Sequence, residues 1–406
     1  MYDLIIVGGG AAGYFAAAEL KSKKPEASVL ILEKSGKTLA KVLVSGGGRC
    51  NVTNAEESPA KLVAFYPRGG KSLRKVFDVF GTAETKKWFG EKGVRLKTEA
   101  DGRVFPVSDN SRTIIECLRA KTEAKGVKVK KRCGVKAFGK TEAGFKVQTD
   151  EGEFSCRKLL VATGGANKEK AYAWLADAGL TIKEPLPSLF TLNVPDSGLK
   201  GLEGVSMPSA SVRLAGTKEE RSGAILVTHW GVSGPAVLRL SAYASPIFHE
   251  KGYKCEALVN WWADKSEDDT RAELTRIGSE FPKKLVRNTP LFDMPTRLWE
   301  RLVELSGIEG DRRWLDLSKK MRNRLVEHLV RFPLKVSGKT TFKEEFVTCG
   351  GVALNEVNLK TMESKKFPGL YLAGEVLDVD GVTGGFNFQF AWSSGYLAGT
   401  DVASKL

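Results

Sequence analysis

Gly8-Gly9-Gly10-Ala11-Ala12-Gly13 is the stretch that decides the fold. It has the spacing G-x-G-x-x-G. Tyr2-Asp3-Leu4-Ile5-Ile6-Val7 precedes it, and residues 3–7 read as a short buried parallel strand. Ala11 to Lys21 follows with the composition of a helix, Ala16, Ala17 and Leu20 on one face. Val29-Leu30-Ile31-Leu32-Glu33 is the next strand. Strand, glycine turn, helix and strand fit within the size of one crossover unit. In that setting Gly8 permits the tight turn, Gly10 lets the backbone approach a pyrophosphate, and Gly13 lets helix and strand pack closely. Gly9, Ala11 and Ala12 complete a helix N-terminus whose free N–H groups favour an anion. Glu33 ends the second strand, where an acid grips ribose hydroxyls, with Lys34 beside it. An acid there favours a free 2′-hydroxyl, which fits FAD or NAD and disfavours NADP.

Working outward, the 406 residues predict more than one domain, and 42% hydrophobic with 27% charged residues is an ordinary globular mix. Pro185, Pro187 and Pro195 punctuate the chain where the first α/β pattern ends. Short strands with turns follow to about residue 260, then charged helical segments to Phe332 and Pro333. From Thr348 the chain again looks like its beginning, with a strand at 369–375 and a helix at 388–404. The expected architecture is α/β. A discontinuous Rossmann-like domain (1–186 and 346–406) carries an inserted β-rich, barrel-like domain (187–262 and 333–345) and a small helical subdomain (263–332). Residues 37–54 read as loop, and 71–92 and 111–125 as helices.

The six cysteines, at 50, 117, 133, 156, 255 and 349, show no CxxC pair. That spacing suggests no zinc site, dithiol centre or disulfide framework, and points to a reducing cytoplasmic compartment. No apolar run approaches the length of a membrane span. The net charge of +15 is compatible with nucleic acid, an anionic surface or an anionic cofactor. Its local density is highest at Lys121–Lys140 and Arg312–Arg324. Without an accompanying RNA- or DNA-binding motif it reads first as solvated surface, and nucleic acid ranks low as a partner.

Three further glycine clusters carry chemistry. Ser45-Gly46-Gly47-Gly48-Arg49-Cys50-Asn51, with Asn54 after it, exposes successive backbone N–H groups as an anion-binding nest would. Arg49 has the charge to neutralise a phosphate or a reduced flavin. Val161-Ala162-Thr163-Gly164-Gly165 ends a strand in residues small enough for a ligand to lie against the backbone. Ala373-Gly374-Glu375 leads to Gly384-Gly385-Phe386-Asn387, where a glycine pair opens a helix. A helix N-terminus at that point stabilises the negative charge a flavin gains on reduction.

Together these sites resemble the aminoacetone oxidase-like (BaiN/YhiN) family of FAD flavoproteins. The run from Ser45 to Asn54 is the most specific likeness. Thr228-His229-Trp230-Gly231-Val232-Ser233-Gly234-Pro235 resembles the inserted-domain motif, and Gly350–Val352, Thr361–Lys365 and Gly369–Gly385 resemble the C-terminal block. The likeness covers nearly the whole chain except about 240–335. It departs at Leu39-Ala40, which stand where the family often has Gly-Arg before the lysine matching Lys41. The resemblance implies FAD as the tightly held cofactor. It also implies that Glu33 meets the adenosine ribose, that the backbone of Val135 meets adenine, and that Ser45–Asn51 and Gly384–Asn387 surround the isoalloxazine.

The expected activity is FAD-dependent oxidation or reduction of a small organic molecule, such as an amine or an enone, by hydride transfer at N5. No second G-x-G-x-x-G marks a dedicated nicotinamide domain, so electrons are expected from a transient NAD(P)H or directly from an organic substrate, with O2 as an acceptor. A flavin-dependent RNA-modifying enzyme and a non-catalytic flavin-binding protein are the alternatives. Catalytic side chains are poorly marked. His229 is the candidate acid or base, a lone histidine being more often structural, and Cys50 has no partner thiol for a redox role.

Overall fold

Strand β1 (Tyr2–Val7) lies inside a parallel sheet, flanked by β2 (Val29–Glu33) on one side and β4 (Gly152–Val161) on the other. Beyond β2 comes β3 (Lys128–Lys131), and beyond β4 comes β5 (Leu370–Leu372), both parallel. The order β5-β4-β1-β2-β3 is that of a doubly wound sheet. Leu4 to Val7 are buried, which is why the strand is apolar without alternation. An antiparallel meander, Val135–Thr141 and Gly144–Thr149, leads into β4.

The computed structural model describes residues 1–263, 265–340 and 347–406. The chain forms two compact units, residues 1–188 with 343–406, and residues 189–342. The return crossing expected at 345/346 lies outside the described residues.

In the first unit, helix α1 (Ala11–Lys23) packs along α3 (Phe386–Ser404). Small residues set the spacing. A side chain at Gly395 would come within 2.7 Å of the Ala12 carbonyl, and one at Gly399 within 2.5 Å of the Ala16 carbonyl. β3 closes one edge of the sheet, and exposed Lys128 and Lys131 deter edge-to-edge pairing. Part of the +15 charge therefore has a structural use.

Two expectations need correction here. Residues 37–54 are not all loop, because helix α2 (Ala40–Gly48) begins there and breaks at Ser45. Residues 71–92 are not one helix, but Arg74–Phe77 and Thr82–Glu91. Gly81 is the N-cap of the second, where its N–H donates to the Glu84 carboxylate at 2.8 Å.

The second unit is a seven-stranded sheet with antiparallel pairing throughout. Its longest strands are Ser206–Leu214 and Glu220–Thr228. Two helices, Pro235–Tyr243 and Ser245–Glu250, interrupt the region that reads as strands and turns. Three more, Glu267–Glu280, Thr296–Leu305 and Lys319–Val330, follow. Val212, Val259 and Leu334 of the sheet share one apolar core with Leu274, Trp299 and Leu325 of the helices. The helices thus pack as part of this unit, not around a core of their own. Among the described residues no helix is long and apolar enough to cross a membrane.

Candidate functional site

The fingerprint lies where β1 ends. Gly8 adopts φ +112°, and a Cβ there would lie 2.2 Å from the Ala162 carbonyl of the chain leaving β4. A Cβ at Gly13 would lie 2.3 Å from the Gly8 carbonyl. Gly10 differs, since a Cβ there would meet nothing within 4 Å. Its open side is the free space at the N-terminus of α1, where the first N–H groups have no helical partners. The Gly9 N–H donates to Glu33 Oε2 at 2.9 Å, and Ser35 N–H donates to Oε1 at 2.7 Å. The turn and the acid at the end of β2 are thus held together as a ribose-binding acid requires.

A cavity of about 270 Å³ opens beside them, lined by Gly8, Glu33, Lys34, Val135, Thr163, Gly164 and Gly165. Tyr172 and Trp174 complete its wall, and neither is marked by the sequence pattern. Tyr172 is fixed by the Ala166 N–H, which donates to its hydroxyl at 3.1 Å, and burial pushes its phenol up to about 12.

The second group begins at Gly46, Gly47 and Gly48, with φ of +59°, +68° and +83°. Three consecutive left-handed residues turn the backbone into a cup that only glycine forms without strain. Cβ atoms at Gly47 and Gly48 would meet nothing within 4 Å. Ser45 closes the preceding helical turn, its hydroxyl donating to the Val42 carbonyl at 3.1 Å.

The residues that follow this cup touch the C-terminal glycine pair. Asn54 Nδ2 donates to the Gly384 carbonyl at 2.9 Å. In the amide orientation that satisfies both ends, the Asn51 oxygen accepts from Gly385 N–H at 2.9 Å and its nitrogen donates to Thr53 O at 3.0 Å. Gly385 caps α3 at φ +91°, and a Cβ there would lie 2.4 Å from the Thr53 carbonyl. Phe386 is the first residue of α3, two residues before the expected start. The Asn387 amide bridges both backbone groups of Gly381 at 2.8 Å each.

Glu375 links the two groups. Its carboxylate pairs with Lys41 at 2.7 Å and accepts from Thr348 N–H at 2.8 Å. A Cβ at Gly165 would fall 2.5 Å from Glu375 Oε1, and one at Gly374 would fall 3.0 Å from the Ala12 methyl. Residues 163–165, 374–375, α1 and α2 therefore converge on one place. Thr348 Oγ1 is buried there with no partner among the described residues.

Arg49 does not keep its charge for a ligand. It pairs with Glu99 at 2.6 Å and Asp109 at 3.6 Å, and its guanidinium lies 4.0 Å from the Phe105 ring centre. Cys50 is fully buried, and burial pushes its thiol up to about 12. A thiolate is the reactive form, so this cysteine is inert at neutral pH. Native protein treated with a thiol reagent is expected to leave Cys50 unmodified while half-buried Cys255 reacts first, and Cys50→Ala is expected to retain flavin reduction. Mass mapping of the labelled peptides checks the first expectation and anaerobic bleaching the second. His229 lies in the second unit, exposed between strands Glu220–Thr228 and Gly231–Ser233.

A buried network escapes sequence reading altogether. Arg68 forms a two-pronged ion pair with Asp380, which is fully buried and also accepts from Ser188 Oγ at 2.7 Å. The Val382 N–H donates to Phe65 O at 2.9 Å, and the Tyr66 hydroxyl to Phe386 O at 2.7 Å. Segment 65–68 is thus strapped to the chain that runs into the Gly384-Gly385 turn. No local spacing marks Arg68 and Asp380 as partners.

The arrangement fits FAD. The open faces of Gly10, Gly47 and Gly48, the acid at the end of β2 and the N-termini of α1 and α3 are features that such a cofactor needs. The comparisons with known proteins agree. Residues 2–401 match the model of the HI0933-like protein Rossmann domain. The ribosomal RNA dihydrouridine synthase of Escherichia coli strain K12 is 32% identical over 414 residues, covering 100% of this chain and 99% of that protein. The 3-dehydro-bile acid delta(4,6)-reductase of Clostridium scindens is 29% identical over 408 residues, covering 98% of each. Among solved structures, the 3-ketosteroid-delta4-(5alpha)-dehydrogenase of Rhodococcus jostii RHA1 has the same fold, with a TM-score of 0.54 at 14% identity over 99% of this chain and 96% of that one. The chain belongs to the HI0933-like family, and it is an FAD-dependent oxidoreductase of Rossmann-type fold.

Proposed function

We propose that this chain reduces a carbon–carbon double bond conjugated to a carbonyl, and that its substrate is a uracil ring within RNA. The observation that carries this reading is the chemistry common to the two full-length relatives. Dihydrouridine formation and delta(4,6) reduction of a 3-oxo steroid both add two hydrogens across an alkene activated by a carbonyl. Sequence alone ranks a small organic substrate first. The net charge of +15 supports the nucleic-acid member of the pair. A free enone is the second reading, supported by the bile-acid enzyme's name.

FAD, when bound, supplies hydride transfer at N5. The balance is one hydride to one alkene carbon, one proton to the other, and a reduced nicotinamide as electron source. The chain's own residues bind and orient. Glu33 is set to accept ribose hydroxyls, and the N-termini of α1 and α3 offer N–H groups to the pyrophosphate and to the electron-rich end of the ring. Asn51 and Asn54 hold the Gly384-Gly385 turn that presents the second of these.

The test is anaerobic. NADH or NADPH is expected to bleach the bound flavin. Unmodified ribosomal RNA is then expected to restore its colour and gain dihydrouridine, detected as a mass gain of two hydrogens on a uridine-containing fragment. Reoxidation by a steroidal enone but not by RNA selects the second reading. Bleaching by an amine, with neither alkene reduced and O2 as acceptor, overturns both.

A further inference from the structure

The second unit presents an aromatic tip that its own core does not explain. Trp230 is 64% exposed, whereas Trp261, Trp299 and Trp314 of the same unit are fully buried. Exposed His229 precedes it, and the two form the turn between strands Glu220–Thr228 and Gly231–Ser233. The backbone under the tip is fixed. The Val194 N–H donates to Trp230 O at 2.9 Å, and the Gly231 N–H to Thr228 Oγ1 at 3.2 Å. A Cβ at Gly231 would fall 2.2 Å from the Leu192 carbonyl, so the strand is pressed against its neighbour. With the backbone under it fixed, an exposed indole has its side-chain rotations left to order when it stacks on a flat partner.

Loop 199–205 runs next to this tip, the Gly204 N–H donating to Val227 O at 3.0 Å. Glu203 in that loop has its carboxyl held below the usual range by backbone N–H groups, and also by His229 and Arg297. The same loop joins tip and guanidinium, since its Gly204 N–H reaches Val227 near the tip and its Gly201 carbonyl accepts from Arg297. Arg297 donates to the Gly201 carbonyl, with no carboxylate within ion-pair distance among the described residues. Arg301 pairs, among the described residues, with Glu304 at 3.4 Å, a carboxylate that is itself 71% exposed. Both arginines line a cavity of about 460 Å³ together with Leu202, Arg287 and the carboxylates of Glu300, Glu304 and Glu309, Arg287 pairing with Glu300 at 3.0 Å.

We propose that this surface grips a single RNA strand, Trp230 stacking on a base while Arg297 and Arg301 hold adjacent phosphates. The assignment rests on reading the substrate as RNA. Stacking on aromatic faces with guanidinium contacts to the backbone is how unpaired strands are bound without dependence on sequence. An exposed indole joined through one loop to a guanidinium that has no carboxylate partner among the described residues suits a nucleotide, whose base and phosphate engage the two together.

The test measures binding of the intact flavoprotein to a short single-stranded oligouridylate at several salt concentrations, with dextran sulfate as a charge-only control. Trp230→Ala is expected to weaken oligouridylate roughly tenfold and leave dextran sulfate unchanged. Arg297→Ala with Arg301→Ala is expected to weaken both and flatten the salt dependence. Flavin absorbance and bleaching by the nicotinamide remain as in the parent, which shows the variants folded. If the parent binds oligouridylate and the variants bind it equally well, this surface is not the RNA contact, while the RNA reading stands. If the parent neither binds RNA nor forms dihydrouridine, both fail.

Discussion

Gly10→Ala is expected to give a folded protein that has lost its FAD, whereas Gly13→Ala is expected to damage the fold itself. The two positions lie three residues apart in one motif, and a new methyl meets opposite surroundings. At Gly10, φ is −94° and nothing lies within 4 Å of the added carbon. Alanine there costs the free chain nothing and slightly favours it by restricting the unfolded state. The open space is where the pyrophosphate must lie for the α1 N–H groups to reach it, so the methyl takes the ligand's place. At Gly13 the methyl would sit 2.3 Å from the Gly8 carbonyl and 3.1 Å from the Ile6 side chain, so α1 has to move off the sheet. Overpacking of this kind costs about 1–3 kcal/mol. Urea unfolding of the flavin-free proteins, with FAD titrated back by fluorescence quenching, separates the outcomes. Gly10→Ala should match the parent midpoint and bind FAD at least ~100-fold more weakly, about 2.8 kcal/mol at ~1.4 kcal/mol per decade. Full flavin retention by Gly10→Ala would falsify the placement of the pyrophosphate.

What the sequence could and could not express follows from the range of the forces involved. The β1–glycine–α1 unit is legible because its determinants are local. An apolar run, a turn requiring glycine and a helix start lie within a few residues of each other. The expectation that the Ser45–Asn51 and Gly384–Asn387 clusters serve one site came from resemblance to a family. Their contact is made by Asn51 and Asn54, 330 residues from Gly384 in the Asn54 bond. No local pattern encodes such a pairing. The same limit hid the partners of Arg49, since a lone arginine in a glycine loop gives no sign of Glu99 and Asp109. Other misses had local signals. Gly81-Thr82 followed by Glu84 is a helix start inside the segment read as one helix. Gly234-Pro235 and Ser245-Pro246 place proline at the first turns of two helices in the region read as strands. There the proline punctuation, and not the alternating apolar pattern, marks what the backbone does.

Arg68→Ala is expected to be among the most destabilising single changes in the first unit, although Arg68 belongs to no glycine motif. Its side chain is 15% exposed and its partner Asp380 is fully buried, so removing the cation leaves a carboxylate that keeps, among the described residues, the hydrogen bond from Ser188 Oγ at 2.7 Å. Breaking a buried pair from one side costs about 3–5 kcal/mol, because the remaining charge keeps its desolvation penalty and loses its attraction. Burial already pushes the Asp380 carboxyl above its ordinary range against the pull of Arg68. In the variant it takes up a proton at still higher pH, which limits the loss under acidic conditions. Removing both charges differs physically. Arg68→Met with Asp380→Leu exchanges an ion pair for apolar contacts of similar volume, and such exchanges are often neutral or stabilising. The double variant should therefore unfold nearer the parent than either single variant, which denaturant titration reads directly. Its flavin affinity is a separate matter. Arg68 bridges to Asp380 on the chain leading to Gly384-Gly385, where the Phe65–Val382 and Tyr66–Phe386 bonds also fasten it. If the pair serves only to close the fold, stability and FAD affinity recover together in the double variant. If the charges also fix the turn at the start of α3, stability recovers while FAD affinity stays low, because apolar contacts do not reproduce the directional bonds that hold Asp380 in place. A double variant as unstable as Arg68→Ala would show that packing around the pair, and not its charge, carries the effect.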